Sequence, residues 1–206
     1  DIMTEESGEN MKNEENVNSE NESGKSTSDK WKNLFSNILW IAGVLLAVIL
    51  IVEFVGQRTK VDGRSMEPML QDGDQLIVDK ISYRFRDPER FDIIIFPYHG
   101  DGSKKTYYIK RIIGLPGETI QIVDGKIYID GEVLEEDYGK EVMEESGRAS
   151  QPIVLGDDEY FVLGDNRNNS KDSRVESVGN IKRSDIIGRA WVRIFPFDTF
   201  GVLKHK

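Results

Sequence analysis

The fold class of this chain is indicated by Thr119-Ile120-Gln121-Ile122-Val123-Asp124-Gly125-Lys126-Ile127-Tyr128-Ile129. Apolar and polar residues alternate on both sides of Asp124-Gly125, and β-branched and aromatic residues dominate, as they do in half-buried strands. An Asp-Gly pair between two such runs is a strong hairpin signal, because both turn positions need a positive φ. The stretch therefore predicts two antiparallel strands, with a further turn at Asp130-Gly131.

Similar short β-like runs lie on both sides of this hairpin. They are Gln75–Val78, Asp92–Phe96, Lys104–Ile109, Glu159–Leu163 and Gly188–Phe195. We find no sequence repeat and no strongly amphipathic helix, so residues 56–206 are predicted to form a mainly β domain with antiparallel pairing. Within it, the acidic, aperiodic segment 135–150 is predicted to be a surface insertion.

A long apolar segment precedes this domain. No charged residue occurs from Asn33 to Val52, and about 20 such residues span a bilayer as a helix. The buried helix of a soluble protein would need a larger core around it, and no small-x-small cleavage site indicates a removable signal peptide. We therefore predict one transmembrane helix over residues 33–55. Basic residues flank both of its ends, so the positive-inside rule does not set its orientation.

Composition limits the remaining possibilities. Residues 1–32 are rich in Glu, Asn and Ser and nearly free of aliphatic residues, which predicts a disordered acidic tail. The formal net charge of −10 argues against nucleic-acid binding. The chain has no cysteine, which excludes thiol chemistry and disulfides, and its two histidines lie far apart. No metal and no cofactor are expected.

Two residues, Ser65 and Lys110, stand out as candidates for chemistry. Ser65 lies in Gly63-Arg64-Ser65-Met66-Glu67-Pro68-Met69-Leu70, and Lys110 lies among the apolar residues of Tyr108–Ile113. Burial lowers the pKa of a lysine, toward about 7–8 in catalytic cases. A neutral lysine can then accept the proton of a serine hydroxyl. The alternatives are a structural loop serine and a lysine that extends its ammonium group into solvent.

The third candidate region is Gly164–Arg174, a loop dense in Asp, Asn, Ser and Arg that follows a predicted strand. Most of these side chains are expected to cap the loop itself through hydrogen bonds to its backbone. One hydroxyl from such a loop could still orient Lys110, as supporting groups orient catalytic bases.

Four stretches, in this order after one apolar segment, together resemble bacterial type I signal peptidases. They are Ser65–Pro68, Arg90–Phe96, Lys110–Glu118 and Gly164–Arg174. The resemblance covers roughly residues 34–196 and implies an antiparallel, barrel-like catalytic β domain of the signal-peptidase type. It further implies a role for each site residue: Ser65 as nucleophile, Lys110 as general base, Ser170 as the residue that orients Lys110, and Asp172 and Arg174 as residues that brace the site.

The implied function is that of a membrane-anchored serine endopeptidase that removes signal peptides from exported preproteins. Its expected partners are signal peptides and the lipid bilayer, with the tail in the cytoplasm and the catalytic domain outside the cytoplasmic membrane. The short tail and single anchor are closest to the Gram-positive branch. Two positions depart from the family: Met69 replaces the usual threonine, and Gly63 occupies a position where some members carry a hydroxyl that helps to hold the oxyanion.

Two other functions are compatible with parts of this sequence. A self-cleaving Ser-Lys peptidase of the SOS-repressor type has a similar β fold, but the apolar segment and the lack of a DNA-binding domain count against it. A catalytically dead, membrane-tethered binding module is disfavoured because both Ser65 and Lys110 are present.

A signal peptide is expected to add as a strand beside the exposed backbone at Asp62–Ser65 or Tyr107–Lys110. Alternation then directs the first and third residues before the cut toward the enzyme. The pockets that receive them are predicted to be lined by Val61, Met66, Leu70, Tyr108 and Ile109. Because these residues are bulky, small substrate side chains are expected at both positions.

Overall fold

The computed structural model describes residues 31–48, 56–98 and 106–203 and divides the chain into two units, residues 1–51 and 52–206. The described part of the first unit is one helix, α1 (Trp31–Val48), whose residues are all exposed. It is long and apolar enough to cross a membrane by length and composition. The predicted acidic tail up to residue 30 and the predicted helical residues 49–55 lie outside the described residues.

The second unit consists mainly of short antiparallel strands. They are β1 (Gly56–Lys60), β2 (Gln75–Asp79), β3 (Ile93–Tyr98), β4 (Thr106–Gly114), β5 (Thr119–Val123), β6 (Lys126–Ile129), β7 (Glu132–Val133), β8 (Ile153–Val154), β9 (Glu159–Leu163), β10 (Ile181–Lys182), β11 (Gly188–Phe195) and β12 (Gly201–Val202). Single 3₁₀ turns lie at Ser82–Arg84, Gly147–Ser150, Arg167–Asn169, Arg183–Asp185 and Phe197–Thr199. The mainly β, antiparallel prediction is confirmed.

The strands form two sheets. The larger sheet has the order β1-β2-β11-β3-β4-β9-β10, with β12 also paired to β11, and the smaller one has the order β7-β6-β5-β8. The predicted hairpin is the β5–β6 pair, in which Val123 lies opposite Lys126. Asp124 and Gly125 have φ values of 50° and 73°, as the two-residue turn requires.

Most predicted strands are present, with small changes at their ends. The run that was predicted to start at Lys104 is described only from Thr106, and it continues as β4 to Gly114. The strand β1 was not predicted, because Gly56-Gln57-Arg58-Thr59-Lys60 lacks an apolar alternation. It forms through pairing with β2, where Gly56 to Lys60 lie opposite Asp79 to Gln75.

A cluster of buried apolar side chains supports the turn that carries Ser65. It is formed by Val61, Met66, Leu70, Leu76, Val78, Ile93, Ile95, Ala190 and Leu203. Full burial of each larger side chain contributes about 1.5–3 kcal/mol relative to its exposure. The Ser65 turn is therefore attached to the centre of the larger sheet and is not a free surface loop.

Two strand edges near Ser65 are left open. Among the described strands, β1 pairs only with β2. The strand β4 pairs with β3 from Thr106 onward, but with β9 only from Arg111 onward. The first half of β4 therefore exposes backbone hydrogen-bonding groups on the side that β9 leaves uncovered.

Candidate active site

Ser65 lies in a tight turn that follows β1. The backbone N–H of Glu67 donates to the carbonyl oxygen of Arg64 over 3.2 Å, and that of Leu70 donates to Met66 over 2.9 Å. Met66 and Leu70 are fully buried below the turn, whereas Ser65 is half-buried. The apolar side chains thus hold the turn down and leave the serine hydroxyl at its upper surface.

Gly63 begins this turn in a conformation that favours glycine. Its φ is +94°, and its N–H donates to a carboxylate oxygen of Asp72 over 2.9 Å. A serine or threonine would be strained at this φ. The backbone conformation of this turn therefore favours glycine over a hydroxyl-bearing residue at position 63.

Lys110 reaches Ser65 from the middle of β4. Its Nζ donates to Ser65 Oγ over 2.7 Å and to the carbonyl oxygen of the preceding residue, Ile109, over 2.9 Å. Lys110 is only 4 % exposed. The two residues, 45 positions apart in sequence, therefore form one hydrogen-bonded pair.

The surroundings of Lys110 favour its neutral form. Burial lowers the pKa of the Lys110 ammonium from 10.5 to about 8, while the negative charges of Asp172 and Asp165 oppose part of that shift. Burial has the larger effect because the charged form loses its water shell. With this pKa, about 9 % of Lys110 is neutral at pH 7 and about half at pH 8, so the neutral form that a general base requires is accessible.

Ser170 lies beside this pair but does not contact the lysine by a hydrogen bond. Its Oγ is buried and has no hydrogen-bond partner among the described residues. The close neighbours of Gly164 include both Ser170 Oγ and the carbonyl oxygen of Ser65, and both would collide with a Cβ at Gly164. Ser170 is therefore packed against the Ser65 turn with an unused hydroxyl.

Asp172 and Arg174 form a buried ion pair behind the lysine. Arg174 Nε donates to Asp172 over 2.9 Å, and the N–H of Gly164 donates to the same carboxylate over 3.1 Å. Arg174 also donates to the carbonyl oxygens of Arg167 and Glu145. The pair thus fixes both ends of the loop that carries Ser170.

Asn166 joins that loop to the Ser65 turn. No local sequence pattern indicates this contact. Its backbone N–H donates to the carbonyl oxygen of Ser65 over 3.1 Å, and its side-chain amide donates to Arg64 over 3.1 Å. Asn166 on the 164–174 loop therefore holds the peptide groups on both sides of the serine, through the carbonyl oxygens of Arg64 and Ser65. Asn166 was interpreted as a residue that caps its own loop, so this contact was missed.

A second buried ion pair next to Lys110 was also not predicted. Arg111 and Asp165 are 0 % exposed, and two parallel hydrogen bonds of 2.8 and 2.7 Å join them. The remaining guanidinium nitrogen donates to the carbonyl oxygen of Phe91 over 2.9 Å. Bidentate pairs of this kind are strong and directional. This one ties the residue after Lys110 to the residue before Asn166.

The segment 135–150 was predicted to be a surface insertion, and it covers this loop. Glu136 accepts two hydrogen bonds from Arg167, of 2.7 and 2.9 Å. The guanidinium carbon of Arg111 lies 3.7 Å from the centre of the Tyr138 ring. Lys140 donates through its backbone to Asp165 and through Nζ to Glu67, over 2.9 and 2.7 Å. These polar contacts carry no periodic sequence signal.

A cleft of about 490 Å³ opens in front of Ser65 and Lys110. Of the predicted pocket residues, the cleft is lined by Val61, Met66, Tyr108 and Ile109. Leu70 is fully buried in the core and is not among the described residues that line the cleft. Sequence reasoning did not select several further lining residues, namely Thr59, Lys60, Ile95, Tyr107, Asn169 and Lys171.

Comparison with known proteins gives a consistent result. The model of a family described as "Signal peptidase, peptidase S26" matches residues 34–195. A protein named "Probable signal peptidase I-2" from Synechocystis sp. is 42 % identical over 166 residues, which cover 79 % of this chain and 73 % of the relative. "Signal peptidase I P" from Bacillus subtilis subsp. natto is 37 % identical over 181 residues, which cover 82 % of this chain and 96 % of the relative.

A third relative, "Signal peptidase I" from Leptolyngbya laminosa, is 43 % identical over 155 residues that cover 73 % of this chain and 74 % of the relative. A crystal structure of a signal peptidase I from Enterococcus faecalis aligns with 36 % identity and a TM-score of 0.42, over 50 % of this chain and 97 % of that one.

Proposed function

The chain belongs to the signal peptidase family, peptidase S26, and from this membership and the site geometry we propose that it cleaves signal peptides from preproteins as a serine endopeptidase. Ser65 is the nucleophile and Lys110 the general base. The observation that carries the proposal is the 2.7 Å contact between Ser65 Oγ and a buried lysine whose pKa is lowered to about 8.

The reaction begins when neutral Lys110 removes the proton from Ser65. The Oγ attacks the carbonyl carbon of the scissile peptide bond, and a tetrahedral oxyanion forms. Lys110 then donates the proton to the departing amine, the C–N bond breaks, and the signal peptide stays attached as an ester of Ser65. Water hydrolyses this ester in a second round, in which Lys110 accepts the proton of water and returns it to Ser65.

Stabilisation of the oxyanion falls to the backbone N–H of Ser65. This N–H donates to no acceptor among the described residues. Gly63 supplies no hydroxyl, so the site relies on fewer donors than one with a side-chain donor in addition. The rigid attachment of the Ser65 turn by Asn166 supports this role, because the N–H then needs no reorganisation during the reaction.

The substrate adds as a strand in the cleft between β1 and the first half of β4. Both elements line the cleft, and both have an unpaired edge among the described strands. Side chains of the first and third residues before the cut face the enzyme beside Val61, Met66, Tyr108 and Ile109, which line the cleft. Because these lining residues are bulky, small groups such as the methyl of alanine are preferred at both positions.

The supporting residues act through the dyad. Ser170 is assigned the orientation of Lys110, because its buried hydroxyl has no hydrogen-bond partner among the described residues and its loop packs against the Ser65 turn. The Asp172–Arg174 pair holds the loop on which Ser170 lies. The helix α1 anchors the enzyme in the cytoplasmic membrane, with the acidic tail inside the cell and the β domain outside, where exported preproteins emerge.

The proposal is tested by incubation of the detergent-solubilised chain with a preprotein and identification of the new N-terminus by mass spectrometry. A single cut after a small residue at the end of the signal peptide is expected. The Ser65→Ala variant, with an unchanged circular dichroism spectrum, should release no product. Cleavage by that variant, or no cleavage by the parent, would exclude the assigned mechanism.

A further inference from the structure

A second cavity, which the proposed mechanism does not use, adjoins the cleft and shares lining residues with it. It has a volume of about 150 Å³. Three of its lining residues, Thr59, Ile95 and Tyr107, also line the cleft in front of Ser65. The remaining walls come from Gln57 on β1, from Val78 and Lys80 at the end of β2, and from Ile187 before β11. The two cavities therefore lie side by side along β1 and are separated by the three residues that they share.

The second cavity is lined by Gln57, which lies two positions before Thr59 on β1, whereas Thr59 lines both cavities. Gln57 and Thr59 lie on the same face of β1, because successive side chains of a strand alternate. Gln57 is paired with Val78, which also lines the cavity. A substrate strand beside β1 has the same rise per residue, about 3.3 Å. If its third residue before the cut lies at Thr59, its fifth residue lies at Gln57 and points into the cavity.

The chemistry of the walls defines what fits. Val78 and Ile95 are both buried, and with Ile187 they form an apolar floor. The one charged residue among the described lining residues is Lys80, which is half-buried at the rim. Such a cavity favours an unbranched or γ-branched aliphatic side chain through the hydrophobic effect. It disfavours a cationic side chain, which would lose water beside the Lys80 ammonium.

We propose that this cavity, hereafter the Gln57 subsite, binds an aliphatic side chain at the fifth residue before the cleavage site. The inference rests on the proposed function, since it extends the same bound strand by two residues. It adds a preference for a larger apolar residue upstream of two positions that require small ones. Selection would then depend on a pattern of small, small and aliphatic side chains at alternate positions.

The first test uses three peptide substrates that carry alanine at the first and third positions and differ only at the fifth. That position holds alanine, norleucine or lysine, and norleucine and lysine have similar length. For the parent enzyme, kcat/KM for the norleucine peptide should exceed that for the alanine peptide about fivefold. The lysine peptide should be cleaved no faster than the alanine peptide. Cleavage of the alanine peptide separately tests the proposed function.

Two enzyme variants and one matched control locate the effect. In Gln57→Trp the indole fills the cavity, so the ratio of norleucine to alanine cleavage should fall to about one. The matched control is Arg58→Trp, an adjacent exposed position on the opposite face of β1, which should keep the parent ratio. In Lys80→Glu the rim charge is reversed, so the lysine peptide should become better than the alanine peptide.

Equal rates for all three peptides with the parent enzyme would overturn the Gln57 subsite while leaving the proposed function intact. A norleucine preference that survives in Gln57→Trp, or that is lost equally in Arg58→Trp, would also overturn it. A lysine peptide that gains nothing from Lys80→Glu would exclude this cavity as the place where the fifth side chain binds.

Discussion

The pKa of Lys110 leads to a prediction about the pH dependence of cleavage. With a pKa of about 8, the neutral fraction of Lys110 is about 9 % at pH 7 and about 91 % at pH 9. The value of kcat/KM should therefore rise about tenfold over this interval and stay level above it. For an unperturbed lysine of pKa 10.5, the neutral fraction at pH 7 would be about 300-fold smaller. With such a lysine as the base, kcat/KM would still be rising at pH 9.

Removal of one nearby charge should move this profile in a defined direction. The Asp172 carboxylate raises the pKa of Lys110 by attraction to its charged form. In Asp172→Asn this attraction is lost, so the pKa falls and the inflection moves to lower pH. The height of the plateau should also fall, because Arg174 loses its ion-pair partner, but the position of the inflection does not depend on that height.

The assay is kcat/KM from pH 5.5 to 10 with a peptide that carries no titratable side chain near the cut. Asp157→Asn is the matched control: it removes the same charge from an exposed turn and should leave the inflection unchanged. A rate that peaks in acid and declines by neutrality would indicate a carboxylate base. An inflection that moves upward in Asp172→Asn would refute the electrostatic reasoning for Lys110.

Four further predictions follow from the same geometry. Lys110→Arg should be as inactive as Ser65→Ala in the cleavage assay, because arginine stays protonated at accessible pH, and robust turnover would remove Lys110 as the base. Ser170→Ala should lower kcat more than KM and leave the Tm unchanged, whereas equal activity would make Ser170 purely structural. A large aromatic residue at the first or third substrate position should stop cleavage but be tolerated at the second, and equal tolerance at all three would contradict the strand-addition pose. Arg111→Leu should destabilise the fold by about 3–5 kcal/mol in urea unfolding, since it leaves Asp165 buried without its partner, and an unchanged midpoint would show that the pair is not structural.

Periodic features of the sequence predicted much of the fold. The alternation on both sides of Asp124-Gly125 predicted two strands and a turn from a few neighbouring residues. The structure contains this hairpin as the β5–β6 pair. The strand β1 has no such pattern, because its residues are mostly polar. It is held in place by its antiparallel pairing with β2. A strand of this kind is defined by its partner and not by its own composition.

The site was predictable to a different extent. An apolar strand around Lys110 gave a physical reason for a lowered pKa, which the structure supports through the 4 % exposure of that residue. The direction of a side chain in an irregular turn has no period, so Leu70 was predicted to line a pocket although it lies in the core. The contacts of Glu136, Tyr138 and Lys140 join polar residues distant in sequence, and nothing local indicates them.

The end of the β4–β9 pairing positions both Lys110 and the loop that holds the Ser65 turn. The β4–β9 ladder has its last pair at Arg111 and Leu163, so Lys110 is the first residue of β4 without a β9 neighbour. At the same point the chain leaves β9, and Gly164 lets it pass against the Ser65 turn, where Asn166 binds the serine carbonyl. The missing stretch of ladder leaves the β4 edge open beside the lysine. Extension of that ladder by one pair would occupy the β4 edge that the proposed substrate strand uses and displace the loop that holds Ser65. In the proposed substrate pose, substrate binding and the placement of the base thus both depend on where β9 ends.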